Sequence, residues 1–331
     1  MSLTKTLRLR RLFFRFIFLA MAAWGLLAIT FSNFGAIPRF ASGAVFLLAA
    51  AGSFILPGTE RRKIIAFLSV FTLLLAGWLA LPPRSDRAWS PDVAVLPYAE
   101  ISGSSVTIRN IRNFDYRTET DYTARRYDRS FDLGALRTMD LFLVNWGLEH
   151  FSHAMLSFGF DGGKYVCVSI ETRRKKGEVY SAVRGLFRQY ELTYVVADER
   201  DLVRLRTNFR PGENVYLYRL QADRDIIQKV FLDYLRTVNQ LAASPRWYNA
   251  LTTNCTLNIW RHIVPYYPKA KLDWRIFASA HADEMVYELG VLDQALPLPE
   301  LKKLSLINKA SKAAGDGPDY SARIRRGLPG F

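Results

Sequence analysis

The chain is 331 residues long, half of them hydrophobic and 23% charged, with a formal net charge of +15, two cysteines and four histidines. That balance is too apolar for a simple soluble domain and too charged for a chain embedded in lipid throughout, and two cysteines exclude a disulfide-dense scaffold or a cysteine-rich zinc site. The charge is uneven: residues 1–87 carry eleven Lys/Arg against two Asp/Glu, leaving thirty-four against twenty-eight for the rest. Basic residues beside apolar runs carry membrane topology, so the positive total does not argue for nucleic acid as a partner.

Three apolar runs come first, Phe13 to Phe31, Phe40 to Leu56 and Ile64 to Leu81. Each is about 17–19 residues, near the length that crosses a hydrocarbon core as a helix, and the second is the least apolar. Lys5, Arg8, Arg10, Arg11 and Arg15 lead into the first run, Arg39 alone lies in the first loop, and Arg61, Arg62 and Lys63 fill the second. The positive-inside bias puts the N-terminus and second loop in the cytoplasm, so the chain leaves the third helix on the outer side. A cleaved signal peptide would have a shorter apolar core and no further runs behind it. Nearly free of polar groups, the three helices read as an anchor spanning 1–87, not as an ion path.

Beyond Pro82-Pro83 the pattern changes. Val106 to Ile108, Leu141 to Trp146, His153 to Phe160, Tyr165 to Glu171, Thr193 to Val196 and Asn214 to Leu220 are short and rich in β-branched and aromatic residues, which predicts strands. Asp161-Gly162-Gly163 supplies a hairpin turn between the third and fourth. Ile226, Ile227, Val230, Phe231, Tyr234, Leu235, Val238 and Leu241 then recur at helical spacing, ending before Ser244-Pro245. A second helix is expected from Asn254 or Cys255 to about Val264, and a third over Trp274 to Leu289. The fold class is α+β, an antiparallel sheet with helices packed on it over 88–310, and the basic tail 311–331 is expected to be flexible.

The stretch TTNCTLNIWRH, 252–262, carries the chemistry. Thr and Asn there cap a helix whose first residue is Cys255, so the thiol meets unpaired N–H groups and the positive end of the helix dipole, which favour the thiolate. A cysteine nucleophile needs a base. Among His150, His153, His262 and His281 the best placed is His153, at the start of a strand. Across the Asp161-Gly162-Gly163 turn the partner strand ends in Ser169-Ile170-Glu171, so Glu171 is the candidate to orient the imidazole. Asn254, His150 and Arg173 are candidate supporting or substrate-binding groups. Cys167, mid-strand, reads as core, with a Cys167–Cys255 disulfide as the alternative; His262 reads as structural and His281 as solvated. Arg173 to Lys176 form a basic run that is either a solvated hairpin tip or a contact for anionic lipid headgroups. No metal-ligand spacing, phosphate-binding loop or cofactor motif is present.

Three segments, NWGLEHFSHAMLSFGF, SIETRRKKGEVYSAVRGLFRQYELTYVVADERD and WYNALTTNCTLNIWRH, together resemble the Lnb N-terminal periplasmic domain family of Gram-negative bacteria, related to lipoprotein N-acyltransferases, from about Trp89 to Ile307. The His-before-Cys order is also similar to the permuted papain-like domains of the NlpC/P60 and lecithin:retinol acyltransferase type. The resemblance implies Cys255 as nucleophile, His153 as base and Glu171 as third member. It also implies a multi-pass inner-membrane protein with its soluble domain in the periplasm, acting on phospholipid and lipoprotein as an acyltransferase without a cofactor. Two other readings stay open: a cysteine peptidase or amidase acting on peptidoglycan, and a non-catalytic anchored binding protein.

Overall fold

The computed structural model describes residues 3–55 and 57–331. Met1, Ser2 and Leu56, the residue expected to close the second span, lie outside the described residues, as do the side chains of Lys5, Arg8, Arg10 and Arg11. The chain divides into two compact units, Met1–Arg84 with Ser181–Gln189, and Ser85–Tyr180 with Tyr190–Phe331.

The first unit contains α1 (Leu3–Thr30), α2 (Ala36–Ile55) and α3 (Glu60–Leu79). Their apolar stretches, Leu12–Thr30, Ala36–Ile55 and Glu60–Leu79, have mean hydropathies of 2.1, 1.4 and 1.7 and are long enough to cross a membrane, the second being the least apolar. The helices begin earlier than the apolar runs. Arg39 therefore lies inside α2, where its guanidinium donates to the Thr30 carbonyl at 3.1 Å and closes α1. Glu60 to Lys63 form the first turn of α3, with Thr59 as its cap. Apolarity marks what lipid accepts, whereas helix ends are set by which backbone groups find partners. Gly25 lets the helices approach, since a methyl group there would come within 2.6 Å of Leu74 and Phe46.

The second unit is α+β. Its main sheet takes β1 (Tyr98–Ser102), β2 (Ser105–Arg112), β5 (Arg126–Asp132), β6 (Leu136–Asn145), β7 (Ser152–Phe160), β8 (Lys164–Arg173), β9 (Glu191–Ala197) and β10 (Asn214–Leu220). The order is β1-β2-β9-β8-β7-β6-β10 with β5 also on β2, while β3 (Asp115–Tyr116) and β4 (Tyr122–Thr123) pair separately. The sheet is mixed, not purely antiparallel as expected, because β2 meets β9 in parallel at Arg112 and Ala197. Gly162 and Gly163, at φ 74° and 70°, make the β7–β8 turn in a region that L side chains rarely adopt.

Both faces of β7 are buried along its whole length. On one face Ala154, Leu156 and Phe158 pack with Val166, Val168 and α6 (Arg224–Ala243), which presents Ile227, Val230, Phe231, Tyr234, Leu235 and Val238. Burying a side chain such as Phe231 contributes about 1.5–3 kcal/mol. On the other face Met155, Cys167, Phe142 and Val144 lie under Leu202, Val203, Ile307, Ala314, Tyr320 and Ile324. This second face corrects the expectation of a flexible tail from 311. The last residues form α10 (Asn308–Ala314) and α11 (Tyr320–Arg323), with Ile324 fully buried, because a doubly covered sheet needs a second layer. The expected helix over Trp274 to Leu289 is also corrected: it breaks into short 3-10 turns at Trp274–Ile276 and Ser279–His281 before α8 (Ala282–Glu288).

Candidate active site

The site forms where the β7–β8 ladder stops. The two strands pair as far as Met155 with Ser169, after which β7 continues against β6 and β8 against β9. The gap frees one edge of His153 and Ala154. Extending the register by two residues puts Glu171 opposite His153, and alternation puts His153, Ser169 and Glu171 on one face.

Cys255 enters from the loop 249–254 at the start of α7 (Cys255–Ile263). Asn249 Oδ1 accepts from the N–H groups of Leu251 and Thr252, both at 3.0 Å. Asn254 caps α7, its Oδ1 accepting from Leu257 N at 2.8 Å. Asn258 reaches back to the carbonyls of Thr253 and Asn254, and Thr256 donates to Ile276 O at 2.6 Å. The loop is thereby wound so that Cys255 occupies the first helical position, where backbone N–H groups lack intrahelical acceptors and can receive an oxyanion. The far end of α7 is fixed by His262, buried between Asp233 at 2.6 Å and the Tyr194 hydroxyl at 2.8 Å.

Cys255 is buried, with the His153 imidazole and the Ala154 N–H close enough to act on its thiol. His153 Nε2 lies 2.7 Å from Ser169 Oγ and 3.2 Å from Glu171 Oε1, and Ser169 donates to that same carboxylate at 2.7 Å. With Nε2 so engaged, Nδ1 is the nitrogen left for the thiol. Glu171 also accepts from Arg206 Nη2 at 3.1 Å, while Arg206 Nη1 is 3.3 Å from Glu213. Burial alone would lower the imidazole, but the Glu171 charge overrides it and, with Cys255, holds His153 at about 9 despite Arg206. Burial pushes the Cys255 thiol up, yet the His153 charge and hydrogen bond, joined by the Ala154 N–H, bring it below the usual thiol value. For Glu171, burial is outweighed by His153, Arg206 and Ser169, which hold the carboxyl well below the usual range. These shifts favour a thiolate–imidazolium pair backed by a carboxylate, the charge state that a cysteine nucleophile requires.

Of the residues singled out in the sequence, the structure brings Cys255, His153 and Glu171 together, with Asn254 as the helix cap. It does not bring His150 or Arg173 to the thiol. His150 pairs with His281 at 3.2 Å, and His281 with Glu284 at 2.9 Å, so His281 is not simply solvated. Arg173 is buried under the Trp89 ring and donates to the carbonyls of Val93 and Ala94. Arg174 pairs with Asp92 and Lys175 with Glu178, so most of the basic run is engaged locally. Both cysteines are free, Cys167 lying on the second face of the sheet.

Three residues near the thiol were missed. Arg206 sits in a π-turn, Leu205–Phe209, that continues α5 (Glu199–Arg204), an irregularity no apolar periodicity announces. Tyr180 and Tyr248 lie close enough to feel each other and the charges of Cys255 and Glu171. Tyr248 was visible only as part of the WYNALTTNC stretch.

An apolar cavity of about 100 Å³ begins within a turn of Cys255. Its wall includes Ala154 of β7, Thr256 and Ile259 of α7, Leu141 of β6, Ile226 of α6 and Met285 of α8.

Compared with known proteins, residues 122–280 match the family model described as the Lnb N-terminal periplasmic domain. No curated protein and no solved structure matches the chain.

Proposed function

With residues 122–280 belonging to the Lnb N-terminal periplasmic domain family, and three spanning-length helices ahead of them, this is a membrane-anchored protein with a periplasmic domain, and we propose that it is a multi-pass inner-membrane cysteine acyltransferase. Its substrates on this reading are a phospholipid, as acyl donor, and the amino group of a lipoprotein, as acceptor. The Cys255 thiolate attacks the ester carbonyl carbon, the ester C–O bond breaks, and the His153 imidazolium protonates the departing alkoxide. The N–H groups at the start of α7 hold the oxyanion. In the second half an amine attacks the thioester, the C–S bond breaks, the now neutral His153 takes the amine proton, and the thiolate–imidazolium pair returns. Glu171, Ser169 and Arg206 orient the imidazole and keep the carboxylate ionised.

The observation that carries the reading is the apolar cavity lined by Ala154 and Thr256, the chain neighbours of His153 and Cys255, since a polar cleft would suit a peptide or amide and this wall suits hydrocarbon. Tethering keeps the enzyme and two lipid-borne substrates on one surface at high effective concentration. The test is mass spectrometry of the protein purified in native lipid, comparing wild type, Cys255→Ser and His153→Ala. A hydroxylamine-sensitive acyl adduct on Cys255, absent from both variants, is expected. Active protein whose Cys255 is unmodified and freely alkylatable throughout turnover would overturn the thioester route.

A further inference from the structure

Between β8 and β9 the chain leaves the sheet for nine residues, Ser181–Gln189, that group by their contacts with the apolar helices of the first unit. They include the single turn α4 (Ala182–Gly185). Phe187 is buried there, its ring 6.0 Å from that of Trp24 and 5.7 Å from that of Phe31. Asn33 donates to the carbonyl of Arg188 at 3.2 Å, and Gln189 donates to Asn33 Oδ1 at 3.2 Å. Arg188 lies over the Trp78 ring and sends Nη1 to the carbonyls of Trp78, Leu79 and Leu81 at 3.0, 2.8 and 3.2 Å. Those carbonyls lie at and just past the end of α3, at the negative pole of its dipole. Arg188 holds φ at 56°, a conformation a non-glycine residue keeps only where its surroundings over-determine it.

The opposite side of the segment is bare: Ala182, Val183 and Arg184 are exposed, Val183 by half, and Arg184 extends over the Phe31 ring. Trp24, Phe31, Trp78 and Phe187 form an aromatic cluster at the ends of α1 and α3, which the positive-inside bias assigns to the outer surface. Aromatic rings and arginine in that arrangement match the headgroup layer of a bilayer, apolar inward and charged outward.

We propose that Ser181–Gln189 is a membrane-surface insertion whose partner is the outer-leaflet lipid itself, with Ala182 and Val183 at the acyl boundary and Arg184 at the phosphates. The segment follows Tyr180, the partner of Tyr248 near Cys255, so the chain that enters lipid is continuous with the wall of the nucleophile. That consequence rests on the acyl-transfer reading, whereas the lipid seating does not.

The test places a nitroxide at Val183→Cys in a Cys167→Ala, Cys255→Ser background, using the full-length protein in phosphatidylethanolamine–phosphatidylglycerol vesicles. Collision with oxygen against a nickel chelate, calibrated with lipid nitroxides, is expected to place the label roughly 5–10 Å below the phosphates. Ala182→Cys gives an independent reading should the first variant fail to accumulate. A label open to the nickel chelate as free nitroxide in buffer is overturns the proposal. Because the protein measured lacks its nucleophile, failure here is distinct from failure of the acyl-transfer reading.

Discussion

The two faces of the central sheet are built from different chemistry. The α6 face is mainly apolar, from Leu141 and Phe158 to Phe231 and Leu235, with its buried polar groups, His262 and Asp283, bonded to the hydroxyls of Tyr194 and Tyr218. The other face buries charge beside its apolar residues: Arg325 bridges Asp140 and Glu199 at 2.7 and 2.6 Å, Arg112 pairs with Asp201 at 2.7 Å, and Arg206 reaches Glu171 at 3.1 Å. His153, Ser169 and Glu171 belong to that charged face, while Cys255 and Ile259 belong to the apolar core. His153 and Cys255 meet through the gap where β7 and β8 part. The contrast teaches how one site can draw on two chemistries: charges that set protonation lie on one side of the sheet, and an apolar wall lies on the other.

The largest expected effect comes from emptying the charged side at the site. His153→Ala leaves burial as the main influence on Cys255 and should slow its alkylation at pH 7 by roughly a hundredfold or more, with secondary structure unchanged. A thiol as reactive as in wild type would mean that the helix start alone makes the thiolate. Away from the site, Arg325→Ala leaves the buried Glu199 without a guanidinium and Asp140 with Arg219 alone, and should cost about 3–5 kcal/mol, read from denaturant unfolding. A loss below about 1 kcal/mol would mean that the charged face is no more than a tolerated variant of the apolar one.

That division was only partly legible in the sequence. Strands β7, β8 and β10 and helix α6 announced themselves because alternation and helical spacing are local, and Cys255 stood out because its caps, Asn254 and Thr253, are its neighbours. The pairing of His153 with Glu171 followed from the length of one hairpin. Arg206 was illegible: one arginine among many, delivered by a π-turn. The tail was misread for a related reason. Tyr320, Ile324 and Arg325 are spaced too sparsely among Gly, Ala and basic residues to look like a core element, and their partners Asp140 and Glu199 lie far upstream. Nor could periodicity show that Ser181–Gln189, bracketed by two strands, groups with the anchor.

On the apolar side, Ala282→Leu adds carbon to the cavity wall without touching the thiol. Long-chain adducts on Cys255 should fall by roughly tenfold while a short-chain ester probe reacts as before, at a stability cost of about 1–3 kcal/mol. Unchanged adduct lengths by mass spectrometry would show that hydrocarbon sits elsewhere and remove one half of the contrast.

The smallest effect, and the one that links the two faces, is Glu171→Gln. In the native protein His153 is raised from an ordinary 6.5 to about 9, so its contribution to folding is complete below 6.5 and is lost as pH rises through about 9. Glu171 is depressed, so its contribution is present above its ordinary 4.5 and is lost as pH falls through its low folded value. Glutamine removes the largest charge that raises His153 and leaves burial and Arg206, which lower it, opposed by Cys255 alone. The imidazole is then less protonated near neutral pH, Cys255 loses part of its cation, and the thiolate forms at higher pH. Alkylation of Cys255 by iodoacetamide should be about tenfold slower than wild type at pH 7 and approach it above about pH 9, where the native imidazolium also deprotonates. Superimposable profiles would mean that the carboxylate on the charged face does not set the state of the nucleophile, and the site would belong to the helix start and the apolar wall alone.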